Sequence, residues 1–155
     1  RNPERLRSLF PDLADSEPIL FHVSNFRPIK RICDVVRTFA AVNEQVPCRL
    51  VLVGDGPERS SLERQSRDIG LNGSVVFAGQ VADVRPFLRT GDLFVLPSRS
   101  EGLPNALLQA MSKMVFICRS RGSVFSGSGT CFEPSVQTRS RIPGSVLKAS
   151  CKSFE

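Results

Sequence analysis

Apolar residues fall in short dense runs, and between the runs they recur every three or four positions. The dense runs lie near 18–24, 48–53, 74–78 and 92–97, with a weaker one at 114–118. Each has strand length and no polar alternation, the pattern of a strand covered on both faces. The intervening stretches carry helical spacing, as in Ile32, Val35, Val36, Phe39 and Ala40. They predict helices near 29–45, 57–69, 81–90 and 104–112. Strand and helix in alternation imply right-handed crossovers and a parallel sheet. Gly70 is placed to cap the second helix, with Leu71-Asn72-Gly73 as the turn after it.

Both ends of the chain depart from this pattern. Residues 1–17 read as a linker with a short entry helix over 3–10, and residues 18–118 as one incomplete Rossmann-like domain. Residues 119–155 are rich in Ser, Arg and Gly and show neither period. That tail reads as aberrant, from a frameshift or splice, or as a genuine disordered extension.

Composition narrows the classes. No apolar run approaches the 18 or so residues of a spanning helix. Arg1 is not an initiator and no signal peptide is visible, so the chain reads as a fragment. The net charge of +6 suggests nucleic acid, but its placement argues otherwise. Up to residue 111 there are 14 basic and 13 acidic residues, and beyond it 7 and 2. The basicity belongs to the tail, no Trp or Tyr is present to stack on bases, and no nucleic acid is expected. The five cysteines are odd in number and fit no metal spacing. Cys33 and Cys48 lie among apolar residues and read as buried thiols of a cytoplasmic protein.

The candidate chemistry sits where strands end. After the 92–97 run comes Ser100-Glu101-Gly102-Leu103-Pro104-Asn105-Ala106-Leu107-Leu108-Gln109-Ala110-Met111. Pro104 suits the first position of a helix. The N–H groups around Gly102, Leu103 and Asn105 would face a ligand at the strand's carboxyl end, where a helix N-terminus favours phosphate. Asn105 and Gln109, four apart, share a helix face, and Glu101 precedes them. The first run leads into Ser24-Asn25-Phe26-Arg27-Pro28-Ile29-Lys30-Arg31, whose Arg27 and Lys30 suit a diphosphate. After the second run, Gly54 and Gly56 flank Asp55 and let backbone approach a neighbour or a ligand.

Set together, these pieces resemble the carboxyl-terminal domain of retaining family-4 (group 1) glycosyltransferases of the GT-B fold. The matching segments are Lys30-Arg31, Leu52-Val53-Gly54-Asp55-Gly56-Pro57, Val76-Phe77-Ala78-Gly79, Asp92-Leu93-Phe94-Val95-Leu96-Pro97-Ser98 and Glu101 through Met111. The resemblance covers roughly residues 16 to 111. The segment from Ser24 to Arg31 is most similar to the N-acetylglucosaminyl L-malate synthases of bacillithiol assembly, while Gly102-Leu103-Pro104-Asn105 is generic to the family.

The resemblance implies transfer of a hexosyl group from a uridine-diphosphate sugar (UDP-sugar), with no metal and no cofactor. It implies contact between Glu101 and the donor sugar. Asn25, Arg27 and Lys30 would meet the diphosphate, and backbone near Gln80 and Val81 would meet the base. The family carries a second glutamate, on the ribose, where this chain has Gln109. Gln109 is either that ligand or a satisfied polar residue, and Asn105 caps its helix, touches phosphate, or both. Arg31 reads as a surface residue and His22, the sole histidine, as a core or edge residue. An acceptor-binding amino-terminal domain would be the missing partner. The rival functions are an inactive sugar-nucleotide-binding fragment, a nucleic-acid-associated protein using the tail, and a sugar-nucleotide epimerase.

Overall fold

In a computed structural model the chain forms a five-stranded parallel sheet, described for residues 8, 10–14, 17–99 and, by their backbone, 115–118. The strands are β1 (Ile19–Val23), β2 (Arg49–Val53), β3 (Val75–Gly79), β4 (Leu93–Leu96) and β5 (Val115–Cys118), in the order β3-β2-β1-β4-β5. All five coincide with the apolar runs, the weak fifth included. Its four residues pair in register with β4, from Leu93 with Val115 to Leu96 with Cys118.

The absence of alternation is explained by two cores. Leu20, Leu50, Leu52, Leu93 and Val95 point to one face and Ile19, Phe21, Val51, Val53, Phe94 and Leu96 to the other. The first face is covered by α1 (Ile32–Asn43), through Ile32, Val35, Val36, Phe39 and Val42, and by Leu62 of α2 (Arg59–Asp68). The second is covered by Phe87 and Leu88 of the short α3 (Arg85–Leu88) and by Phe10. Phe10 is 2% exposed, so the segment expected as a linker contributes a core side chain. The remainder of the expected entry helix lies outside the described residues apart from Ser8, as do the 104–112 helix and the 119–155 tail.

Two helices start or stop elsewhere than their periodicity suggests. The stretch expected as one helix from 29 is a 3-10 turn, Pro28–Lys30, followed by α1. Arg31 separates them in the left-handed region, φ 53° and ψ 41°. Arg27 is extended, as a residue before proline must be, and Pro28 sets the turn. α3 is only four residues long, and just past it the Thr90 hydroxyl donates to Phe87 O at 2.7 Å. The α2 terminus matches its expectation: Gly70 has φ +75°, Gly70 N–H donates to Arg67 O and Leu71 N–H to Ser66 O. That bond pair is a Schellman cap.

Candidate functional site

β2 and β3 lie on one side of β1, while β4 and β5 lie on the other. The order therefore reverses between β1 and β4. Their carboxyl ends open the crevice in which α/β sheets bind ligands. The loops after β1, β2 and β4 meet there.

The β1 loop is held from both sides. Phe26 is fully buried, with its ring edge-on to Phe77 at 6.4 Å between centroids. Its N–H donates to Asp55 O at 2.9 Å and its carbonyl accepts from Glu58 N–H at 3.1 Å. From the β4 side, Arg99 N–H donates to Ile29 O at 2.9 Å. With its centre pinned, the loop presents Asn25 and Arg27 as exposed residues and Lys30 as half-buried.

Gly54 and Gly56 serve this clamp. A Cβ on Gly54 would lie 1.9 Å from Ser24 O, and one on Gly56 would lie 2.6 Å from Phe26 O. Of the two partners that the sequence left open, neighbour or ligand, the neighbouring backbone is the one in contact. Asp55 between them is occupied: Oδ1 accepts from Gly56 N–H at 2.7 Å, and Oδ2 lies 3.1 Å from Arg59 Nη1. Arg31, expected on the surface, is half-buried and paired with Asp34. Asp55 and Asp34 are engaged by Arg59 and Arg31, and Arg27 and Lys30 are the other positive groups of the β1 loop. Val81 turns its side chain toward the second core, so any contact there falls to backbone. Glu101, Gly102, Leu103, Pro104, Asn105 and Gln109 lie outside the described residues.

Three features of the crevice were not legible beforehand. Arg99, exposed, joins the same mouth because β4 neighbours β1, a fact of strand order and not of local pattern. Ser98 is 1% exposed, and its Oγ has no partner among the described residues. Buried hydroxyls are normally bonded, so one left open at a strand end marks a polar spot in the crevice wall. The third feature is the bonding of His22, which is a core residue as expected. It is fully buried, with Nδ1 2.8 Å from Val95 O and Nε2 2.7 Å from Ser24 Oγ.

The two thiols among the described residues, Cys48, which is buried, and Cys33, which was expected buried and is half-buried, supply no ready nucleophile. Burial pushes Cys48 up to about 12, and burial followed by Asp34 and Glu58 raises Cys33. Both stay protonated at neutral pH and are inert. Among the described residues no helix is long and apolar enough to cross a membrane.

The model of the family described as "Glycosyl transferases group 1" matches residues 17–123. That span runs past Met111, where the motif resemblance stops, and takes in β5. Over 100 residues the chain is 39% identical to the N-acetyl-alpha-D-glucosaminyl L-malate synthase of Bacillus anthracis, covering 64% of this chain and 26% of that protein. A putative glycosyltransferase, EpsF of Bacillus subtilis, is 34% identical over 101 residues, with the same coverage. The chain thus spans about a quarter of the length of these relatives. Among solved structures, TarM of S. aureus, bound to UDP among other ligands, superposes with TM-score 0.70 at 18% identity, over 93% of this chain and 29% of that one. Anabaena HepE in complex with UDP gives TM-score 0.60 at 25% identity, over 75% and 34%.

Proposed function

Since the chain belongs to the group 1 glycosyltransferases, we propose that its β1–β4 crevice holds the diphosphate of a UDP-sugar and that it is the donor-binding part of a retaining hexosyltransferase. The observation that carries this is the pinned β1 loop, which offers Asn25, Arg27 and Lys30 at the switch point of the sheet. An Arg fork and a mobile ammonium suit two adjacent phosphates. Fixed positive groups also stabilise a departing diphosphate, because they are in place before charge develops on it. Arg99 adds a third cation at the same mouth.

The remaining roles follow the family pattern. Glu101 contacts the donor sugar, Asn105 and the backbone of Gly102, Leu103 and Pro104 meet phosphate, and Gln109 meets ribose. Backbone at Val81 receives the base, and Gly54 and Gly56 act through the shape of the β1 loop. N-acetylglucosamine is the proposed sugar, by the name of the Bacillus anthracis relative. Cys33 and Cys48 are free thiols, which supports a reducing cytoplasm. Transfer is proposed for a protein that also contains an acceptor-binding half, since positioning both reactants in a closed site supplies most of the rate. By itself the chain binds UDP and transfers nothing.

The test is to assay the 155-residue chain and a version extended with an acceptor half, using UDP-N-acetylglucosamine. Binding by both and transfer, with retained anomeric configuration, by the extended form alone is the expected result. Transfer by the short chain, or inversion by the long one, contradicts the proposal.

A further inference from the structure

We propose that His22 and Ser24 form a positioning pair that sets the entrance of the β1 loop, so that the diphosphate preference of Arg27 and Lys30 depends on a hydrogen bond neither of them makes. The inference rests on the diphosphate site proposed above and adds to it the device that holds it in shape.

The geometry is a short chain of bonds across the switch point. Val95 O can only accept, so Nδ1–H of His22 donates to it over 2.8 Å. In the neutral ring Nε2 is then an acceptor, and the Ser24 hydroxyl donates to it over 2.7 Å. Parallel pairing brings this about: Leu20 stands beside Leu93 and Phe21 beside Phe94, so His22 comes beside Val95. β4 thereby fixes the ring, and the ring fixes Ser24, the last residue before Asn25.

Ser24 is tied down on its other side as well. Its N–H donates to Val53 O at 3.1 Å, and its carbonyl lies where a Gly54 Cβ would collide. Backbone contacts with β2 and the side-chain contact with His22, itself held by β4, together determine the direction in which the loop leaves the sheet. Removing the hydroxyl deletes only the bond to His22 and leaves the His22–Val95 bond in place. A buried histidine in a strand, with both nitrogens engaged and no route to solvent, acts here through Ser24 and not on a ligand.

The experiment titrates UDP and uridine into the whole 155-residue chain for wild type, Ser24→Ala, Ser24→Thr and His22→Gln, with thermal unfolding alongside. Ser24→Ala should weaken UDP about fivefold, the share of one neutral hydrogen bond, and leave uridine unchanged. Ser24→Thr, which keeps the hydroxyl, should restore UDP binding. His22→Gln combined with Ser24→Ala should be no worse than the worse single change, since the two act as one unit. If His22→Gln does not fold, the Ala and Thr variants decide alone. An unchanged UDP-to-uridine ratio in Ser24→Ala, or equal loss of both ligands, overturns the pair while leaving the diphosphate site standing. A wild-type chain that does not prefer UDP to uridine overturns both.

Discussion

The two ends of the sheet are built on opposite principles. At the amino end polar groups close on one another. Arg49 Nη1 donates to Gly73 O at 3.1 Å, Nε is buried and ion-paired 3.0 Å from Glu17 Oε1 without a hydrogen bond, and the guanidinium sits 5.6 Å from the centre of the Phe10 ring. Asp92 accepts from Ile19 N–H at 2.9 Å and ties β4 to β1. At the carboxyl end Ser98 Oγ and Glu58 Oε2 are buried without a partner among the described residues, Arg31 holds a left-handed backbone, and Arg27 is exposed. The amino end turns its polar groups on one another, while the carboxyl end, where Asp55, Arg31 and His22 are engaged, also leaves Arg27 exposed and Ser98 Oγ unbonded among the described residues. The comparison teaches where to expect function: the polar groups that the fold does not use gather at the carboxyl end of the sheet.

The largest break in this comparison should come from Gly54→Ala. A methyl 1.9 Å from Ser24 O, on a backbone at φ +125°, forces the β1 and β2 loops apart. The expected loss is more than about 3 kcal/mol, combining overpacking with backbone strain. Gly73→Ala, which meets nothing within 4 Å at φ +79°, should cost only about 1 kcal/mol. Denaturant midpoints of the two variants give the contrast, and similar losses would show that the clamp is not tight.

Arg49→Ala should destabilise the chain by about 2 kcal/mol, through a lost hydrogen bond, a lost ion pair and lost packing on Phe10. It should not alter the preference for UDP over uridine. A changed preference would show that the amino end is not purely structural.

Arg31→Gly should be the smallest effect. Glycine relieves left-handed strain of roughly 1 kcal/mol, and the change also removes the pair with Asp34, which contributes up to about 1 kcal/mol for a partly exposed ion pair. The two nearly cancel, and stability should move by less than about 1 kcal/mol. A loss beyond 2 kcal/mol would assign the Arg31–Asp34 pair a larger role than its exposure allows.

Much of the fold was legible because both cores print the same signal. A strand with Leu20 on one face and Phe21 on the other is simply apolar, and its limits are read to within a residue or two. Helix boundaries were less legible. Periodicity cannot see that Arg31 leaves the helical region, or that α3 stops at Leu88. Within the site, Arg27 and Lys30 stood out through local charge next to a strand end. Ser98, Arg99 and the His22–Val95 contact did not, because each depends on β4 neighbouring β1, some 70 residues away in sequence. The glycines were recognised as close-approach residues, yet only the packed backbone shows that Ser24 and Phe26 are what they approach.

The central claim is that the carboxyl end of β1 binds a diphosphate, and calorimetric titration of Lys30→Ala tests it most directly. Wild type and variant are each titrated with UDP and uridine. A charged hydrogen bond contributes roughly 1.5–3 kcal/mol, so UDP affinity should fall about ten- to hundredfold while uridine affinity holds. Equal losses for UDP and uridine, or no loss for either, would contradict it.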